Sequence, residues 1–254
     1  MAFTHVDEWA GEGELIKINM AKKNLVKPKI PSKPKAALEL AIKNALNIGF
    51  IEKSLLGEYY AEENLRYSVM TEISKVNHFG VFPNSNDQKH HLCFQRHYEH
   101  VHLDESNSKL IPDIVSLRYL EKGKGYSVNS PLVIELKKDG NITANKKIRT
   151  ENLHKRIKKL GSCIEADLLK NRIYLTKRKD TFTFEYGVVI NLVSQNNESY
   201  IVKLEEMLIR QQREFNQIKS INSNKNLLFA WFNPHINKPE LIWLNQKKPI
   251  SLKK

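Results

Sequence analysis

The sequence predicts an α/β fold, because β-rich runs alternate with segments of helical periodicity in a chain of 254 residues, long enough to bury a sizeable core. Two further observations support it. The runs Ile114–Tyr119 and Pro131–Lys137 have strand character, and the stretch between them, Leu120–Ser130, carries Gly123 and Gly125 and reads as a hairpin turn. Helical spacing occurs both before and after this pair.

The expected boundaries are a basic arm over residues 1–36 and a single folded domain over 37–254. In the arm, Lys22, Lys23, Lys27, Lys29, Lys33 and Lys35 alternate with Pro28, Pro31 and Pro34, so it has too little apolar surface to order itself. It is either a tail that follows a nucleic-acid backbone or a solvated leader. Ala36–Asn47 is helical through Leu38, Ala41, Ile42 and Leu46. Tyr59–Val76 is a longer helix in which Glu62, Leu65, Val69, Glu72 and Val76 form one stripe. Acids on an apolar stripe are costly to bury unless a cation or hydrogen bonds compensate them.

A first strand is expected around Cys93, where His90, His91, His97, His100 and His102 crowd together. Strand alternation puts His91, Cys93 and His97 on one face and His100 and His102 on the other. Zinc-ligand spacing is therefore not reproduced cleanly, and polar strand residues beside a substrate groove are expected instead. Glu99 is placed to support a site from behind.

After Lys137 the chain turns basic, with Lys138, Lys146, Lys147, Arg149, Lys155, Arg156, Lys158 and Lys159. Ile148, Leu153, Ile157 and Leu160 supply an apolar helical face, which leaves the cations on the outer side. A second cluster is Lys170, Arg172, Lys177, Arg178 and Lys179. Such charges are either a solvated face or phosphate contacts. A strand over Thr181–Val193, a helix over Tyr200–Ile218 and strands at Leu227–Phe232 and Glu240–Leu244 complete the pattern, with Trp231 and Trp243 read as core.

The chemistry concentrates on the strand pair. Pairing the two runs brings the Asp113 end of one beside the Glu135 end of the other, and Glu135 and Lys137 project to one face. Two carboxylates and an ammonium at one end of a sheet make a hard-cation site with a cationic neighbour. The plain alternative is that Asp113 opens a turn and Glu135–Lys137 is an exposed ion pair.

Pro112-Asp113 followed by Glu135-Leu136-Lys137, one hairpin apart, resembles the active-site motif of the PD-(D/E)XK nuclease superfamily. The resemblance spans roughly Gly57 to Asn191. It implies a restriction-endonuclease-like core, a central mixed β-sheet flanked by helices, and a metal-dependent endonuclease hydrolysing phosphodiesters in DNA. It also implies Mg²⁺, with Mn²⁺ able to substitute, held by Asp113, Glu135 and the Leu136 carbonyl, with Lys137 catalytic. The first core helix of the superfamily often adds an acid; Glu62 is the first choice, with Glu72 and Glu63 behind it. The implied partner is nucleic acid, double-stranded DNA first, and a homodimer would address both strands. A non-catalytic nucleic-acid binder on the same fold is the alternative.

Composition is compatible with this reading. Lys and Arg number 41 against 28 acids, a formal charge of +13 that favours a polyanionic partner. No run approaches the roughly 20 apolar residues of a spanning helix, and no signal-peptide core follows Met1. Only two cysteines, Cys93 and Cys163, occur, far apart, so a cytoplasmic location is expected.

Overall fold

The computed structural model describes residues 33–76, 79, 90–94, 112–122, 125–142, 153–176, 184–193, 197–218 and 225–252, and of 90–94, 117–122, 125–131 and 154 the backbone alone. Residues 1–32 of the arm, His97, Glu99, His100, His102, Lys146, Lys147, Arg149 and Lys177–Lys179 lie outside the described residues.

The first helix, α1, runs Pro34–Leu56, so the last three residues expected in the arm belong to it. Pro34 suits a helix start, where its missing N–H costs nothing. The helix also passes the expected end at Asn47, and Gly49 within it lets Tyr60, Leu65 and Leu192 approach closely. It stops at Gly57, whose φ of 55° is left-handed.

The helix expected over Tyr59–Val76 is shorter. Gly57–Tyr59 is a 3₁₀ turn, Tyr60 and Ala61 are extended, and α2 spans Glu62–Ser74. The Ala61 N–H donates to the Asn64 side chain at 2.9 Å, and Glu62 and Glu63 fill a first turn that favours anions. Glu62 therefore stands at the first position of a helix rather than in its interior.

Strand β1 is His90–Phe94, β2 is Ile114–Lys122 and β3 is Gly125–Lys138. The segment read as a long turn is mostly strand: Lys122 pairs with Gly125 and Glu121 with Tyr126, and the register shifts once, between Ser116 and Arg118. The two glycines masked a continuing run of β-formers through Tyr126 and Val128. Helices α3 (Leu153–Leu160) and α4 (Ile164–Leu175) follow, then β4 (Tyr186–Leu192), α5 (Glu198–Asn216), β5 (Asn226–Asn233) and β6 (Lys238–Trp243).

The strands form one mixed six-stranded sheet in chain order, parallel at β3–β4 and β4–β5 and antiparallel elsewhere. Two crossovers advancing the same way place their helices on one face. There Val133, Val189, Phe229 and Trp231 pack with Leu168, Leu204, Met207 and Leu208. On the other face α1 and α2 cover Ile114, Leu132, Ile134, Leu136, Ile190 and Leu192. Trp231 and Trp243 are both core.

Helix α4 lies unusually close to β4. A Cβ at Gly187 would meet Asn171 Oδ1 at 2.7 Å and Leu175 at 3.1 Å, and the buried Asn171 donates to the Asp167 and Val188 carbonyls. Gly187→Ala is expected to cost about 1–3 kcal/mol through overpacking, read from the urea midpoint. An unchanged midpoint would show that α4 is free to shift.

Candidate active site

The β2–β3 pairing builds the site. Ile114 faces Ile134, so the next pair outward is Asp113 with Glu135, and the Asp113 N–H donates to the Ile134 carbonyl at 3.1 Å. Asp113 Oδ2 accepts the Leu136 N–H at 2.7 Å. In an extended strand the N–H and C=O of one residue leave on the same side, so the Leu136 carbonyl faces this edge, beyond the start of β2. Asp113 and Glu135 are 7% and 1% exposed. Burying two carboxylates this deeply needs partners.

Helix α4 supplies most of them. Tyr174 donates its hydroxyl to Glu135 Oε1 at 3.0 Å, and Lys170 Nζ lies 3.4 Å from Oε2. Asp167, fully buried, joins two lysines: its Oδ1 is 2.8 Å from Lys170 Nζ and its Oδ2 is 3.3 Å from Lys137 Nζ. On the other side Arg66 approaches Asp113 at 3.4 Å, Glu63 at 3.8 Å and Glu62 at 4.0 Å.

Burial pushes Glu135 well above the usual carboxylate range; the Lys170 ammonium opposes this, while the charges of Asp167 and Asp113 add to it. Asp167 is raised by burial against the pull of Lys170 and Lys137. Glu62 is raised by burial, opposed by Lys137 and assisted by Asp113. Burial would depress Lys137, but Asp167, Glu62 and Asp113 outweigh it and keep its ammonium charged. Four carboxylates, of Glu62, Asp113, Glu135 and Asp167, here meet three cations, Arg66, Lys137 and Lys170. Because burial opposes the ionisation of Glu62, Glu135 and Asp167, a hard cation that favours their charged forms suits the site.

The three-carboxylate set expected from sequence is not assembled. Among the described residues no three His, Cys, Asp or Glu side chains stand together closely enough to hold a metal ion. Asp113 and Glu135 face one another, and Glu62 stays on the Arg66 side. Of its two rivals, Glu63 is largely exposed, and Glu72 is buried between Asn44 and Lys75. Two carboxylates completed by waters are a ligand set that Mg²⁺ accepts.

The basic positions also divide. Lys155, Lys158 and Lys159 are exposed on α3. Arg156 is not on the outer side: it is buried, 3.1 Å from Glu214 and 3.5 Å from Glu165. It falls three residues from Leu153 and four from Leu160, inside the apolar stripe. Lys138 is half-buried and donates to the Tyr60 carbonyl, on the sheet face opposite Glu135 and Lys137. If α3 meets a phosphate backbone, replacing Lys155, Lys158 or Lys159 should flatten the plot of log affinity against log salt by about one unit per contact. Arg156→Ala should leave that slope alone and cost about 1–3 kcal/mol of stability. Parent slopes in all three lysine variants would place the binding groove elsewhere.

Asp167, Tyr174 and Arg66 were not singled out by sequence reasoning as site residues, and Lys170 was read only as part of a basic cluster, whereas it meets Glu135 and Asp167. Their signal was present: 167, 170 and 174 fall at helical spacing of three and four, and Arg66 follows Glu62 by four. No family model, curated protein or solved structure gives a significant match to the chain. No helix among the described residues is long and apolar enough to cross a membrane.

Proposed function

We propose that this protein is a Mg²⁺-dependent nuclease that hydrolyses phosphodiester bonds in DNA, on a restriction-endonuclease-like core. The observation that carries the reading is the pairing of Asp113 with Glu135 at the open end of the β2–β3 hairpin, with Lys137 on the same strand face. Asp113, Glu135 and the Leu136 carbonyl would hold the ion. When bound, the ion supplies Lewis acidity toward the phosphate and toward a water ligand. The chain's own contribution is Lys137, whose ammonium has three donors and forms an ion pair with Asp167 at 3.3 Å. Its donors would orient a water and offset charge gathering on the phosphate. Asp167 keeps that ammonium charged and placed, and Tyr174 and Lys170 fix the Glu135 carboxylate.

The exposed lysines of α3 and the net charge of +13 support a polyanionic substrate. Double-stranded DNA is the proposed partner, in the cytoplasm, with a homodimer the form that would cut both strands.

A non-catalytic binder is the second reading. It is favoured by the way protein cations already meet these carboxylates, Arg66 at Asp113 and Lys170 at Glu135. Incubation of the purified chain with duplex DNA, single-stranded DNA and RNA, in Mg²⁺ and in EDTA, separates the two. Mg²⁺-dependent cleavage of duplex DNA is expected. Retention of all three without cleavage would establish the binder.

A further inference from the structure

We infer that Arg66 is the resident counter-ion of Asp113, and that a divalent cation must displace its guanidinium in order to bind that carboxylate. The inference rests on the metal-dependent reading above and adds a competitor for the metal that the chain itself carries.

Its placement follows from α2. Arg66 comes four residues after Glu62 and three after Glu63, so all three share one side of the helix. Packing of α2 on the sheet then carries the guanidinium to Asp113, 47 positions along the chain. One of the carboxylates it meets, Asp113, is a proposed ligand of the metal. A guanidinium and a divalent ion repel each other and compete for the same oxygen lone pairs.

The contacts are those of an exchangeable ion. All three lie at 3.4–4.0 Å, longer than the roughly 2.7–2.9 Å of a tight charge-assisted hydrogen bond. Arginines elsewhere in the molecule are held differently: Arg210 meets Glu165 at 2.7 Å and Arg172 meets Glu214 at 2.7 Å. Among the described residues, tight arginine pairs thus stand beside the looser contacts of Arg66, and the latter are at the site. Lys170 stands 3.4 Å from Glu135, the other proposed ligand, but Asp167 also holds it at 2.8 Å, a tight anchor that Arg66 lacks.

Mn²⁺ binding measured by calorimetry without nucleic acid tests this in the full chain. An opposite charge a few ångströms away changes a carboxylate's affinity for a cation by roughly tenfold at the low end. Arg66→Gln is therefore expected to bind Mn²⁺ roughly tenfold more tightly than the parent. Arg66→Lys should stay close to the parent, and Lys43→Gln, an exposed cation on α1, should change nothing. A purely structural arginine would give weaker binding in Arg66→Gln, and equal or weaker binding overturns the inference. A second measurement needs no variant. Adding Mg²⁺ to the parent should move the Arg66 Nε–Hε resonance and leave that of Arg210 in place. An Arg66 resonance that stays fixed while Mg²⁺ binds also overturns it. If Asp113→Asn loses Mn²⁺ binding but Arg66→Gln does not tighten it, only the Arg66 inference falls. If neither parent nor Arg66→Gln binds Mn²⁺, the metal-dependent reading falls and takes this inference with it.

Discussion

Asp113→Ala and Glu135→Ala are each expected to abolish Mg²⁺-dependent cleavage while leaving nucleic-acid affinity near that of the parent. Each removes a proposed metal ligand, and with it several kcal/mol of transition-state stabilisation, more than about a thousandfold in rate. Neither removes any of the exposed cations on α3. Glu135→Ala removes a carboxylate whose charged form burial disfavours, at the cost of its contacts with Tyr174 and Lys170. Lys137→Ala should fall in the same class. Lys137→Arg should recover only part of the rate, because a planar guanidinium does not put its charge where the ammonium stands. Parent-like cleavage by both purified carboxylate variants would remove the proposed site.

Asp167→Ala is expected to produce the largest loss of stability among the site variants, about 3 kcal/mol, read from urea unfolding. Asp167 is wholly buried and is the shared partner of Lys137 and Lys170, whose side chains are 14% and 22% exposed. Removing it strands two partly enclosed ammonium groups beside the apolar core. Asp167→Asn should cost less, since the amide oxygen still accepts from one lysine. Equal stability of the parent and the alanine variant would mean that solvent and Glu135 satisfy both lysines.

What could be read from the sequence and what could not have a common physical basis. The strand pair was legible because period-two alternation and the Pro112-Asp113 boundary fix which side chains share a face, and antiparallel pairing then brings 113 to 135. The α2 acid could be narrowed only by structure, since Glu62, Glu63 and Glu72 look alike in the stripe and differ in where the helix starts. Helix α4 was not recognised. All but one of its residues are buried, so it has no polar face to produce an amphipathic pattern. Arg156 was misplaced for the opposite reason. Its charge suggested solvent, whereas its position within the Leu153–Ile157–Leu160 stripe pointed inward to Glu165 and Glu214. Remote partners of this kind, 58 positions away for Glu214, leave no mark in local spacing.

The most direct test of the central claim is cleavage of supercoiled plasmid by the parent and by an Asp113→Asn, Glu135→Gln double variant purified in parallel, each with Mg²⁺ and with EDTA. The amides keep the volume of the acids but give up the charge that a hard cation requires. Nicked or linear product from the parent in Mg²⁺, and from none of the other three reactions, is the predicted result. Intact plasmid in every reaction, or equal cleavage by the double variant, would contradict the assignment of Asp113 and Glu135 as a nuclease centre.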